Sequence, residues 1–200
     1  MPTERSREEV PPPHAVGKRP TDAPSHPDIL KILLDEQALR SRTRELGAQI
    51  SRDYAGRRLL VVGVLKGSLI FMADLLRAIG AEVDVHVDFV AVASYAGTAS
   101  TGTIRVLLDL RENPEGRDVL VVEDIVDTGL TLTSLTETLR ARRPRSLEVC
   151  TLLDKPDCRK IPFQPKYVGF KIPNEFVVGF GLDFDERYRQ LPYVGVLRAS

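Results

Sequence analysis

Glu123, Asp124 and Asp127 stand within one short stretch, Asp118–Ser134 (DVLVVEDIVDTGLTLTS), and are followed at once by Thr128, Gly129, Leu130 and Thr131. Small residues with a glycine that tolerates positive φ let successive backbone N–H groups converge on one anion. A helix beginning near Leu130 adds its free N–H groups and the positive end of its dipole, which suits a phosphate. Carboxylates repel a bare phosphate. Glu123 and Asp124 beside such a cradle make sense when they act through a hard cation such as Mg²⁺, or when they bind sugar hydroxyls. The pattern lacks both the G-x-x-x-x-G-K-[ST] of a P-loop and the G-x-G-x-x-G of a dinucleotide fold.

The elements that must hold these groups are legible around them. Val119–Val122 is a continuous apolar run, the mark of a strand buried on both faces. Leu130–Ala141 has helical character. In an open α/β sheet a ligand binds at the carboxyl ends of the strands, where this stretch puts its polar residues. The arrangement recurs upstream: Leu59–Leu65 reads as a second buried strand, ending at Lys66-Gly67-Ser68. An amphipathic helix follows, with Leu69, Met72, Leu75, Leu76 and Ile79 on one face and a stop at Gly80. Lys66 and the free amides of that turn suit a second anionic group.

Other segments fill out the pattern. Asp28–Leu34 is a short apolar run, a strand or the lead-in to a helix. Asp35 is placed to cap a helix over Glu36–Tyr54. The arginines of that helix, Arg40, Arg42, Arg44 and Arg52, read as a solvated face. Glu82–Phe89 alternates Val83, Val85, Val87 and Phe89 with polar residues, the period of a half-buried strand, with His86 on its polar side. Ile104, Val106 and Leu108 alternate likewise. Between these two runs lies a polar, glycine-containing loop, Ser94–Gly102. Ser146–Leu153 is another strand, ending in Asp154-Lys155-Pro156. Tyr167–Pro173 and Phe176–Gly181 are short strand-like runs. Arg142, Arg143 and Arg145 are read as complementing the C-terminus of the preceding helix rather than binding a ligand.

VVEDIVDTGLTL resembles the phosphoribosyl-pyrophosphate motif of type I phosphoribosyltransferases. Further motifs in the family's order, from about Pro27 to Leu197, narrow the resemblance to the hypoxanthine-guanine branch. The resemblance implies an α/β fold, with a mostly parallel sheet flanked by helices and a small C-terminal hood. It implies a purine salvage enzyme that takes phosphoribosyl pyrophosphate and a 6-oxopurine base, with Mg²⁺ as cofactor and a homodimer or homotetramer as assembly. Residue by residue, Asp127–Thr131 match the 5′-phosphate turn, with Asp127 as general base. Glu123 and Asp124 match the ribose and metal groups, and Lys66 and Gly67 the pyrophosphate loop, whose Lys–Gly peptide is often strained or cis. Ser94 and Tyr95 match the lid. Lys155 matches the lysine on the purine's exocyclic oxygen, Phe176 the aromatic that stacks on the base, and Val177 the residue whose backbone reads the base edge. Asp183 matches a second metal ligand at the purine end of the site, and Arg189 the arginine that pairs pyrophosphate oxygens. Leu130 stands where some members have Lys, so this turn must rely on backbone amides, Thr128 and Thr131. The alternatives are a xanthine-preferring relative and a non-catalytic sensor of phosphoribosyl pyrophosphate that binds nucleic acid.

Bulk properties agree. The 200 residues suffice for one ordinary domain with a full core. A Pro-rich tail over 1–24, with Pro11-Pro12-Pro13, is expected to be disordered, leaving a single domain over 25–200. Lys and Arg balance Asp and Glu at 28 each, so net charge is zero and neither nucleic acid nor membrane is the expected partner. Cys150 and Cys158 form no C-x-x-C pair, and no secretory signal is evident, so reduced thiols in the cytoplasm are expected.

Overall fold

The computed structural model describes residues 26–94 and 104–198. The Pro-rich tail and most of the expected lid, Tyr95 included, lie outside the described residues; Ser94 is described only in its backbone, as the last residue of a strand. In chain order the elements are β1 Ile29–Leu34, α1 Glu36–Tyr54, β2 Arg58–Leu65, α2 Leu69–Ala78, β3 Asp84–Ser94, β4 Ile104–Leu108, β5 Asp118–Val126, α3 Leu130–Arg140, β6 Ser146–Asp154, β7 Tyr167–Lys171, β8 Val177–Val178 and β9 Val194–Leu197.

One sheet runs in the order β4-β3-β2-β5-β6-β7. All its neighbours pair in parallel except β3 with β4. The strands after β2 are laid down on one side of it, and those after β5 on the other. The boundary between β2 and β5 is therefore the topological switch point, where a crevice opens at the carboxyl ends of the strands. The alternation of a strand sorts its side chains onto the two faces. Leu59 and Val61 of β2 and Leu120 and Val122 of β5 pack with Leu39, Leu46 and Ile50 of α1 and Phe71, Met72 and Leu75 of α2. Leu60, Val62, Val119 and Val121 pack on the opposite face with Leu132, Leu135 and Leu139 of α3. Strands that read as unbroken apolar runs are thus sealed on both sides, and this rigid floor carries the turns.

The cap at Asp35 is present: its Oδ1 accepts from the Ala38 N–H at 2.8 Å. The hood is an antiparallel sheet in the order β1-β9-β8. It is not purely C-terminal, because β1 from the start of the described chain pairs with β9. Two polar expectations change. Arg42 is buried, donating to the carbonyls of Val168 and Gly169 and pairing with Glu45, so it ties α1 to β7. On β3, Asp88 is buried and Val87 exposed, reversing the alternation there. The Asp88 Oδ2 accepts from the N–H groups of Arg111 and Glu112, which secures the turn after β4 and outweighs the apolar pattern. Arg142, Arg143 and Arg145, just past the end of α3, pair with Asp109, Glu115 and Asp118. No helix among the described residues is long and apolar enough to cross a membrane.

Candidate active site

β5 is longer than its apolar run: it carries Glu123 and Asp124 within the strand and ends at Val126. Asp127, Thr128 and Gly129 then turn the chain into α3. Gly129 takes the N-cap position at φ 84°, a left-handed conformation that suits glycine, and offers no side chain to cap the first amides. The helix start is left with donors for an anion, partly tied only by the Thr128 hydroxyl, which accepts from the Leu130 N–H at 3.4 Å.

The acidic pair behind this turn is electrostatically uncomfortable in the free protein. Glu123 Oε2 is sealed from solvent and has no hydrogen-bond partner among the described residues. Burial, and then the charge of Asp124, hold the Glu123 carboxyl well above the usual carboxylate range. Burial also raises Asp124, against opposing bonds from Glu123 and from the Ile125 N–H, which donates to Asp124 Oδ1 at 2.8 Å. Two adjacent carboxylates with an orphaned oxygen are a donor set that fits a hard cation or a pair of hydroxyls. Among the described residues no three His, Cys, Asp or Glu groups cluster closely enough to hold an ion unaided. Mg²⁺ is commonly held by one or two carboxylates, with water and substrate phosphates completing its shell.

The second turn meets the first across the switch point. β2 ends at Leu65, and Lys66 and Gly67 lead into α2. The cis peptide is Leu65–Lys66, one bond earlier than the family resemblance implied. Lys66 Nζ lies 3.1 Å from Glu186 Oε1. Arg189 Nη2 lies 2.9 Å from Asp183 Oδ1 and 3.2 Å from Glu186 Oε2, while its Nη1 donates to the Gly181 carbonyl at 2.8 Å. Lys66 and Arg189 are therefore bridged by one carboxylate, that of Glu186. The other Asp183 oxygen accepts from the Glu186 N–H at 2.9 Å, so a cation at Asp183 would have to displace Arg189.

At the opposite end, Lys155 follows β6 and is almost completely buried, with Nζ 3.9 Å from Asp127 Oδ2. Phe176 is 56% exposed, unusual for a large aromatic side chain, and meets Phe184 edge to face at 5.6 Å. Val177 is buried in β8. Sequence reasoning missed three participants. Arg159 grips the backbone of the phosphate turn and pairs with Asp154. Glu186 lies between the two cations. Cys158 lies near the Asp127 carboxylate, and its thiol is raised by burial and by that carboxylate. Only Arg159 left a trace, as a cation one helical turn beyond Lys155 with Pro156 bending the chain back between them.

The chain matches the family model described as Phosphoribosyl transferase domain over residues 30–185. A hypoxanthine-guanine phosphoribosyltransferase of Staphylococcus aureus (strain Mu50 / ATCC 700699) is 50% identical over 174 residues, covering 86% of this chain and 96% of that protein. One from Staphylococcus epidermidis is 51% identical over 176 residues, covering 88% of this chain and 97% of its own. Among solved structures, a Staphylococcus aureus hypoxanthine phosphoribosyltransferase aligns with a TM-score of 0.82 at 50% identity, covering 86% of this chain and 92% of that one. The Trypanosoma cruzi hypoxanthine phosphoribosyl transferase aligns with a TM-score of 0.84 at 44% identity, covering 88% and 95%. With the motifs in order, the switch-point geometry and these matches, the chain belongs to the phosphoribosyl transferase domain family.

Proposed function

We propose that the chain transfers the 5-phosphoribosyl group of phosphoribosyl pyrophosphate to N9 of hypoxanthine or guanine. The bond between the anomeric carbon and pyrophosphate breaks, the bond to N9 forms, and the products are the 6-oxopurine mononucleotide and pyrophosphate. The observation that carries this reading is the meeting of two anion-suited turns, Lys66–Gly67 and Asp127–Thr131, across the β2–β5 switch point, with Lys155 Nζ 3.9 Å from Asp127 Oδ2 beside them. The substrate brings one phosphate and one pyrophosphate, which accounts for two anion turns in one domain. The relatives, named for hypoxanthine and guanine, support this reading over a xanthine-preferring enzyme.

The roles are those the family resemblance implies, and the places of Lys66, Asp127 and Lys155 around the switch point support them. Asp127–Thr131 receive the 5′-phosphate through amides and hydroxyls. Lys66, Gly67 and Arg189 receive pyrophosphate, Arg189 as a planar fork suited to two oxygens at once. Lys155 donates to the exocyclic oxygen of the base, Phe176 stacks on it, and the Val177 backbone reads its edge. Asp127 takes or holds the N7 proton while N9 attacks. Glu123, Asp124 and Asp183 would hold Mg²⁺, which when bound would supply positive charge to offset what builds up on the departing pyrophosphate. Ser94 and Tyr95 belong to the lid that excludes water. The assembly is a homodimer or homotetramer, in keeping with the Trypanosoma cruzi structure's concern with the role of the C-terminal region on oligomeric state.

The test is a panel of hypoxanthine, guanine, xanthine and adenine with phosphoribosyl pyrophosphate and Mg²⁺, followed by pyrophosphate release. Turnover with hypoxanthine and guanine is expected. No release with any 6-oxopurine would sink the reading, and a preference for xanthine would move it to the neighbouring specificity.

A further inference from the structure

Arg159 lies against the backbone of the phosphate turn, and its side chain is 15% exposed. Its Nη1 donates to the carbonyls of Val126 at 2.9 Å, Asp127, and Lys155 at 3.3 Å. Nε donates to the Phe163 carbonyl at 3.2 Å, and Nη2 pairs with the buried Asp154 carboxylate. One guanidinium thus joins the end of β5, the end of β6 and the chain beyond. Next to it, the Lys160 N–H donates to the Thr128 carbonyl at 3.0 Å.

These bonds have a directional consequence. In a trans peptide the C=O and the following N–H point in opposite directions. With the Asp127 carbonyl turned to Arg159, the Thr128 N–H points away from Arg159. With the Thr128 carbonyl turned to Lys160, the Gly129 N–H also points away. Both amides are thereby aimed at the side where the turn would hold a phosphate. The same cation holds the Lys155 carbonyl, so it also sets where that lysine's side chain starts relative to Asp127.

We propose that Arg159 is a positioning residue for both substrates: it orients the phosphate-turn amides from behind and keeps the Lys155 backbone in register with Asp127. This rests on the substrate roles proposed above. A fork of five donors on one rigid plane is required, because an ammonium cannot reach several divergent carbonyls and a carboxylate together.

The experiment compares wild type with Arg159→Lys and Arg159→Ala, each checked for folding by circular dichroism and thermal melting. Asp154→Asn serves as a second variant that loosens the guanidinium without removing it. Steady-state kinetics are read for both substrates, and binding of phosphoribosyl pyrophosphate with Mg²⁺ is titrated without base. In Arg159→Ala the KM values for both substrates should rise and kcat/KM should fall by roughly 10- to 100-fold. Arg159→Lys should recover little, and added ethylguanidinium should partly restore Arg159→Ala. Asp154→Asn should show the same two-substrate shift in weaker form. Unchanged KM values for both substrates, with activity falling only with the folded fraction, would overturn the proposal. Full recovery by Arg159→Lys would do the same. Should wild type release no pyrophosphate, the proposed reaction fails, and the binding titration alone decides Arg159: weaker binding in the variants supports it and equal binding overturns it.

Discussion

Gly67 lies against the Asp124 side chain so closely that a Cβ at position 67 would overlap its carboxylate. The turn after β2 and the Asp124 carboxylate on β5 are therefore in close contact at the switch point. No left-handed backbone is involved at Gly67, so the requirement is one of space alone. Gly67→Ala is expected to fold with a lower melting temperature. It should lose at least about 10-fold in kcat/KM for phosphoribosyl pyrophosphate, because small displacements of positioned groups are costly in rate. The KM for the purine should change far less. Equal losses for both substrates would separate Gly67 from the pyrophosphate turn.

Asp127 is exposed, next to the buried ammonium of Lys155 and the Cys158 thiol. Asp127→Asn preserves shape and removes the ability to hold a proton at N7. The variant should bind phosphoribosyl pyrophosphate about as well as wild type and lose roughly 10²- to 10⁴-fold in turnover, the range for a positioned general base. Single-turnover assays with saturating substrates read this directly. Near-normal turnover would take Asp127 out of that role.

How much of this was readable beforehand depends on how local the determinants are. Lys66 and Asp127 each end a buried apolar strand and precede an amphipathic helix, so strand, turn and helix announce themselves within some twenty residues. The capping by Asp35 is equally local. The hood is not: β1 pairs with β9 from the other end of the described chain, with irregular register, and β8 has only two residues. No periodicity marks such a pairing. Arg42 and Asp88 were misread for a related reason. Each is polar in type but buried because distant backbone groups, at 168–169 and at 111–112, need its donors or acceptors. Arg159 belongs with them, since its partners are carbonyls, which leave no trace in residue identity. Phe176, Asp183 and Arg189 were found only through family resemblance, because each owes its meaning to neighbours that the hood supplies.

Glu186 spans the two cations assigned to pyrophosphate, 3.1 Å from Lys66 and 3.2 Å from Arg189. These partners, Lys66 first, hold its carboxyl below the usual carboxylate range. Pyrophosphate must displace this carboxylate to reach both groups. Glu186→Gln is therefore expected to bind pyrophosphate more tightly. The pairs are exposed and salt-screened, so the gain should be only about 3-fold, and smaller in high salt. Product-inhibition constants at two ionic strengths test it. Weaker binding in the variant would mean that Glu186 assists pyrophosphate rather than competing with it.

The strain in the acidic pair should be visible as pH-dependent stability. Glu123 has a folded-state pKa raised well above the ordinary 4.5, by burial and then by Asp124. Between the unfolded and folded pKa values the native state binds more protons than the unfolded chain, so Glu123 lowers stability as pH rises through that window. Glu123→Gln keeps a neutral group throughout. Without ligand, the melting temperatures of variant and wild type should coincide near pH 4 and separate upward, with the variant higher. Part of the Glu123 side chain meets solvent, so the gap should stay at roughly 2–4 °C, the shift expected for about 1 kcal/mol in a chain of this size. Parallel curves would show that Glu123 is not the titrating group. Phosphoribosyl pyrophosphate with Mg²⁺ should reverse the order, because a carboxylate destabilised in the free protein is stabilised once a cation and ribose hydroxyls bind it, and the amide cannot replace it.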